Sequence, residues 1–270
     1  MQNSPEVNGL KMPFEFYFLL SSAFILGAVV GSFLNVCIYR IPAGKSVVSP
    51  PSSCPYCGYR IRWYQNVPIL SYLFLGGKCA GCRAHISLRY PAIEVLTGIL
   101  FALTLYYFSF STATLVYWIF ASALVTITFI DLDHQIIPDV ISLPGIVVGF
   151  VCSFFIPWLG WLDSFLGILL GGGTLLAIAW LYEKLAKREG MGGGDIKLLG
   201  MLGAFLGWKA IFPIVFIASL AGTLVGVPLM LLQKGDTKLA IPFGPFLAFA
   251  ATVYLFWGQG IIRWYLGLMQ

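Results

Sequence analysis

Two aspartates, Asp131 and Asp195, stand where long apolar runs give way to polar sequence, the second inside Gly192-Gly193-Gly194-Asp195. Two carboxylates brought together cannot both ionise easily, so one keeps a proton. The ionised member can then activate water while the protonated one polarises a carbonyl, which is peptide hydrolysis without an acyl-enzyme. The glycines ahead of Asp195 lack Cβ atoms, and so let backbone, a neighbouring helix or an extended substrate come close to the carboxylate. A second constellation is Cys54-Pro55-Tyr56-Cys57 with Cys79-Ala80-Gly81-Cys82. Four thiolates in two CxxC turns suit tetrahedral zinc, and four sulfur ligands leave no open position, so the ion would fold the loop rather than catalyse. The rival is two disulfides or a redox pair. His85 is either a substitute ligand or an exposed loop residue, and Cys37 and Cys152 fall in apolar runs as small hydrophobes.

The elements that must position these groups cross a membrane. Hydrophobic residues make up 59% of the 270 residues and the mean hydropathy is +0.88, whereas a soluble domain of this length needs a polar skin. Apolar runs long enough to span fall near 15–39, 92–109, 113–130, 140–157, 164–182, 210–232 and 243–260, with a shorter one near 196–208. The expectation is an all-α polytopic membrane protein of about eight transmembrane helices, organised as residues 1–39 (outward N-terminus and first helix), 40–91 (cytoplasmic cysteine loop) and 92–270 (helical bundle with the aspartates). The first run is long, preceded by Glu6 and Glu15 and followed by Arg40, which reads as a retained helix rather than a signal peptide.

Charge gives the orientation. Of 16 Lys and Arg, seven lie in residues 40–91 (Arg40, Lys45, Arg60, Arg62, Lys78, Arg83, Arg89), four around Gly190 (Lys184, Lys187, Arg188, Lys197) and two in the last polar turn (Lys234, Lys238). Lys and Arg collect on the cytoplasmic side, so these loops and both aspartates face the cytoplasm. The net charge of +5 accords with contact to anionic membrane lipid, and no basic stretch is interleaved with aromatics as a nucleic-acid surface would be. Cytoplasmic placement also favours zinc over disulfides, because that compartment keeps thiols reduced.

Each aspartate has an ordinary alternative. Acids at membrane boundaries are commonly solvated, and Asp195 ahead of the run 196–206 could be a helix N-cap. A proton-coupled carrier using both acids as ion sites and a zinc-stabilised assembly protein without catalysis are the rival functions. Apart from Glu15, the first residue of its run, Glu94 is the one acid placed inside an expected span.

The chain resembles the type IV prepilin peptidases, a family of GxGD intramembrane aspartic proteases. The resemblance rests on Gly31-Ser32-Phe33-Leu34-Asn35-Val36 with Arg40 and Pro42, both CxxC pairs, Asn66-Val67-Pro68, and Arg89-Tyr90-Pro91 with Glu94. It continues through the Asp131 to Asp139 segment, the glycine-aspartate motif and Ile241-Pro242-Phe243-Gly244-Pro245. It implies that Asp131 and Asp195 are the catalytic pair and that Gly192, Gly193 and Gly194 form the active-site loop. The implied reaction is cleavage of the basic leader of prepilins or pseudopilins after a glycine at the cytoplasmic face of the bacterial inner membrane. It further implies N-methylation of the new amino terminus from S-adenosylmethionine, with Gly77 as the methyltransfer-associated glycine; by composition alone Gly77 is a turn residue before a zinc knuckle. Asp133, Asp139 and Glu189 are expected either to steer the basic leader or to be solvated. Helix dipoles predict that Asp195, at a helix start, begins as the base and Asp131, at a helix end, as the acid.

Overall fold

The computed structural model describes residues 14–186, 192–232 and 241–267; Glu6, Lys187, Arg188, Glu189, Lys234 and Lys238 lie outside them. Nine α-helices are formed among the described residues. They are α1 (Phe14–Arg40), α2 (Leu70–Phe74), α3 (Arg89–Phe108), α4 (Thr112–His134), α5 (Asp139–Ser153), α6 (Trp161–Ala186), α7 (Gly193–Leu206), α8 (Ile211–Leu232) and α9 (Gly244–Gly267). Among the described residues strand pairing is limited to the isolated bridges Ser53–Arg60 and Lys78–His85, so the all-α class holds. Each expected apolar run coincides with a helix over most of its length, the run at 140–157 leaving its helix after Ser153. Five segments are long and apolar enough to cross a bilayer: Phe14–Arg40, Arg89–Phe108, Thr112–His134, Trp161–Leu185 and Trp208–Leu232. α5 and α7 are shorter, at 15 and 14 residues, and the apolar part of α9, Gly244–Gly258, is short as well. At about 1.5 Å per residue α7 reaches only about 21 Å, less than the hydrocarbon thickness of about 30 Å.

Contacts divide the chain into two compact units, residues 1–126 and 127–270, with α4 contributing to both. In the first unit α1 packs along α3 through the spacing Gly27-x-x-x-Gly31. A Cβ on Gly27 would stand 2.7 Å from the Thr97 carbonyl oxygen, and one on Gly31 2.8 Å from Glu94 Cα. Small residues at this spacing let two helix backbones approach, which is how helices associate where lipid removes the hydrophobic drive. Asn35 donates to the Tyr90 carbonyl at 3.2 Å, closing the same seam near the Arg40 end of α1. The start of α4 joins through Trp118, whose indole N–H donates to the Phe101 carbonyl at 3.0 Å and whose ring stacks on Phe101.

The second unit is built around α7. Leu198, Leu199, Met201, Leu202 and Ala204 are fully buried, so this short helix is packed on all sides by protein. α6 approaches it backbone to backbone at Gly167 and Gly203, and Ser164 Oγ donates to the Ala204 carbonyl at 2.7 Å. α5 packs on it through Gly149 against Phe205, and α8 and α9 also pack on it. α7 stops at Gly207, whose φ of 80° any residue with a Cβ would resist.

Candidate active site and metal centre

Asp131 lies in the last turn of α4 and is 4% exposed. Its Oδ2 accepts the backbone N–H of Gly244 at 3.0 Å. Gly244 is the first residue of α9, where the helix leaves N–H groups without internal partners, so Asp131 ends one helix and caps another. That contact requires glycine: a Cβ at position 244 would stand 2.5 Å from Oδ2. Ile137, in the turn between α4 and α5, fills the space beside it, 3.3 Å from the same hypothetical Cβ and 2.9 Å from one on Gly194. One side chain therefore touches the glycine bonded to Asp131 and the glycine preceding Asp195.

Asp195 sits in the first turn of α7, half-buried and ahead of the apolar stretch. The N-cap of α7 is Gly192, with no side-chain cap bond, so Asp195 is not the N-cap. Burial first, and the neighbouring Asp131 charge second, push its carboxyl up to about 6. The three glycines divide in role. Gly194 is needed for close packing on Ile137, whereas among the described residues nothing fills the space where a side chain on Gly193 would go, and Gly192 meets Asp195 Oδ2 at 4.0 Å.

Of the other acids in this stretch, Asp139 is engaged. Both its oxygens accept from Lys197 Nζ, at 2.7 and 2.8 Å, tying the first turn of α5 to the first turn of α7. Asp133 is exposed. The roles of Gly244, Ile137 and Lys197 were missed in the sequence. The one signal available was Gly244 between Phe243 and Pro245, a helix start with an obligatory small residue.

The four cysteines converge. Their sulfurs all lie within 4.8 Å of one another, with Cys54 to Cys82 at 3.8 Å and Cys57 to Cys79 at 4.0 Å. A tetrahedron with metal–sulfur bonds near 2.3 Å has edges of about 3.8 Å, while a disulfide needs about 2.05 Å. The donor set therefore fits a zinc ion and not two disulfides. Two like turns build it. Cys54 N–H bonds to the Tyr59 carbonyl and Gly58 N–H returns to Cys54; Cys79 N–H bonds to the Ala84 carbonyl and Arg83 N–H returns to Cys79. Gly58 and Arg83 occupy matching left-handed positions, φ 70° and 62°. Backbone N–H groups of Cys82 and Gly81 aimed at Cys79 bring its thiol down to about 6, which readies a thiolate ligand. His85 is exposed, outside the group of four. Gly77 lies between α2 and the second knuckle with φ 67°, and a Cβ there would stand 2.8 Å from the Tyr72 hydroxyl. Glycine is fixed there by conformation and by Tyr72 together.

Comparison with known proteins agrees in both units. Residues 25–108 match the bacterial peptidase A24 N-terminal domain, and residues 118–227 match the type IV leader peptidase family. A protein of Pseudomonas aeruginosa named prepilin leader peptidase/N-methyltransferase is 37% identical over 90% of this chain and 91% of its own. A protein of Aeromonas hydrophila with that name is 37% identical over 91% and 93%, and one of Myxococcus xanthus 42% identical over 78% and 63%. No solved structure matches. With two matched domains in sequence order and relatives aligned over nine-tenths of its length, the chain belongs to the type IV leader peptidase family.

Proposed function

We propose that the chain cleaves the basic leader of prepilins or pseudopilins after a glycine and then N-methylates the new amino terminus, at the cytoplasmic face of the bacterial inner membrane. The observation that supports the peptidase half is a buried Asp131, held by the Gly244 N–H, near enough to Asp195 that burial and then the Asp131 charge push the Asp195 carboxyl up to about 6. The roles follow from the partners. Asp131 is 4% exposed, so burial opposes its ionised form as it does that of Asp195, but Asp131 has in addition the backbone N–H at the start of α9, a donor that favours the ionised form. Asp195 has burial and a like charge against its ionised form. Asp195 then holds the shared proton and polarises the scissile carbonyl, while Asp131 takes the proton from water. This reverses the assignment from helix ends alone, because Asp131 faces the start of α9 as well as ending α4.

Gly192 and Gly193, which carry no side chains ahead of Asp195, let a substrate backbone unwound at its cleavage site come close to the carboxylate. Because Lys197 occupies Asp139, steering of a basic leader falls less to Asp139 than to the membrane surface.

Cys54, Cys57, Cys79 and Cys82 would hold a structural zinc that fixes residues 52–86, with Gly77 setting the turn into the second knuckle. The methyltransferase half takes its support from the names of the relatives. S-adenosylmethionine, when bound, supplies an electrophilic methyl group that passes to the amine lone pair as its bond to sulfur breaks. Residues of the cysteine loop suit such a ligand, with exposed aromatic faces at Trp63 and Tyr64 beside Arg60 and Arg62.

The direct test is intact-mass spectrometry of a prepilin incubated with the purified protein in lipid. Loss of the leader after its glycine, and a further methyl only when S-adenosylmethionine is present, are the expected products. An uncut prepilin that an established prepilin peptidase cuts in the same mixture contradicts the proposal.

A further inference from the structure

The function proposed above leaves the buried Glu94 and the short helix α2 without a role, and the structure joins the two. Glu94, 8% exposed, accepts the Ile69 backbone N–H on Oε2 at 2.7 Å, and the Ser32 hydroxyl of α1 bonds to the same carboxylate. This bond fixes a depth. α3 has 20 residues, about 30 Å at about 1.5 Å per residue, so its whole length is needed to cross the hydrocarbon layer. Glu94 is its sixth residue and lies about 7.5 Å in from the Arg89 end. Ile69, and with it α2 from Leu70 onward, is thus drawn back beside the outermost turns of a spanning helix. The stretch before α2 lies along α1 in the same way, where Val48, Ser52 and Pro68 line a cleft with Phe33, Val36 and Arg40.

At this level α2 turns an apolar face outward. Leu70, Leu73 and Phe74 stand at positions i, i+3 and i+4, which share one side of a helix, and they are 51%, 67% and 86% exposed. The other side of α2 is tied to the loop. The Tyr72 hydroxyl donates to the Ile86 carbonyl at 3.3 Å, and Ser71 Oγ donates to the Tyr64 carbonyl at 3.2 Å.

Charge selects what covers this face. Residues 16–93 hold no acid, while residues 40–91 hold seven Lys and Arg, and a basic segment beside a spanning helix is drawn to anionic headgroups. A second copy of the chain would bring the same cations, and the basic leader of a prepilin would be repelled as well. We propose that the Leu70–Phe74 face inserts into the boundary between headgroups and acyl chains of an anionic bilayer, anchoring the cysteine loop on the membrane surface. Three side chains alone would hold a soluble domain there only weakly. Here α1 and α3 already bring both ends of the loop to the surface, so α2 has only to lay its middle down.

The experiment places the full chain in nanodiscs of phosphatidylcholine and phosphatidylglycerol that contain a phosphatidylcholine with a carbene-generating diazirine high on its acyl chain. Adducts are mapped by mass spectrometry after illumination. Leu70–Phe74 is expected to be labelled within about threefold of the exposed Ile25 of α1 and Ile99 of α3. Leu73→Asn combined with Phe74→Asn is expected to lower the α2 label about tenfold, with α1 and α3 labelled as before. In discs of phosphatidylcholine alone the α2 label of the wild type is expected to fall about twofold or more. Wild type labelled on α1 and α3 but not on Leu70–Phe74 overturns the anchor, and cross-links between copies through that face would then assign it to a second chain. Equal α2 label in the two lipids overturns the anionic headgroup as the partner.

Discussion

At the scale of single residues, the proposed peptidase centre is held by contacts that tolerate no added atoms. Gly244→Ala would place a methyl group 2.5 Å from Asp131 Oδ2 and force the carboxylate or α9 to move. Misplacement of a reacting group by about 1 Å costs on the order of 100-fold, so cleavage is expected to fall by about that factor. Single-turnover cleavage, with thermal stability and zinc content as controls, checks it. Asp195 makes a different prediction. Its carboxyl, near 6 when folded against an ordinary 3.8, is raised, so folding disfavours its ionised form. That penalty is absent below about pH 4 and grows as the pH rises through about 6. Asp195→Asn, which cannot ionise, is expected to raise the melting temperature by a few degrees at pH 7.5 and to leave it unchanged at pH 4. Melting curves of both proteins in detergent at the two pH values decide this; an equal shift at both contradicts the titration account.

Among the elements, the sequence made side chains legible and left backbone partners hidden. Asp131, Asp195 and the two CxxC turns are readable because carboxylates in an apolar chain and paired thiols have few uses. The fitness of the cysteines for a metal could be read from spacing alone, since each knuckle closes within six residues. Gly244 could not be read as the partner of Asp131, because the two lie 113 residues apart and the donor is a backbone N–H with no side-chain signature. The same holds for Glu94, whose carboxylate accepts the backbone N–H of Ile69, 25 residues earlier. Helix dipoles, applied to each helix alone, leave out the start of α9, whose Gly244 N–H bonds to Asp131 at the end of α4. The cysteine element carries its own prediction. Removing zinc with a chelator should abolish methylation and loosen residues 52–86 while cleavage falls by less, because the aspartates belong to the second unit. Parallel assays of leader removal and methyl incorporation before and after chelation test it, and equal loss of both would contradict a metal confined to the first unit.

For the molecule as a whole, composition established a polytopic membrane protein, and five segments are apolar and long enough to cross. The expected count of eight crossings rests on α5, α7 and α9 as well, whose apolar stretches are shorter. α7 shows why hydropathy alone reads it poorly: it is apolar because protein surrounds it, with five residues fully buried, and its Asp195 end can lie away from lipid. The central claim is that Asp131 and Asp195 act as one hydrolytic unit. Its most direct test is single-turnover cleavage of a prepilin by wild type, Asp131→Asn and Asp195→Asn in the same lipid, with methyl incorporation into a pre-cleaved pilin measured alongside. Each variant is expected to lose cleavage by several orders of magnitude while still methylating the pre-cleaved substrate. Cleavage within tenfold of wild type by either variant, with its fold and methylation intact, would contradict the account.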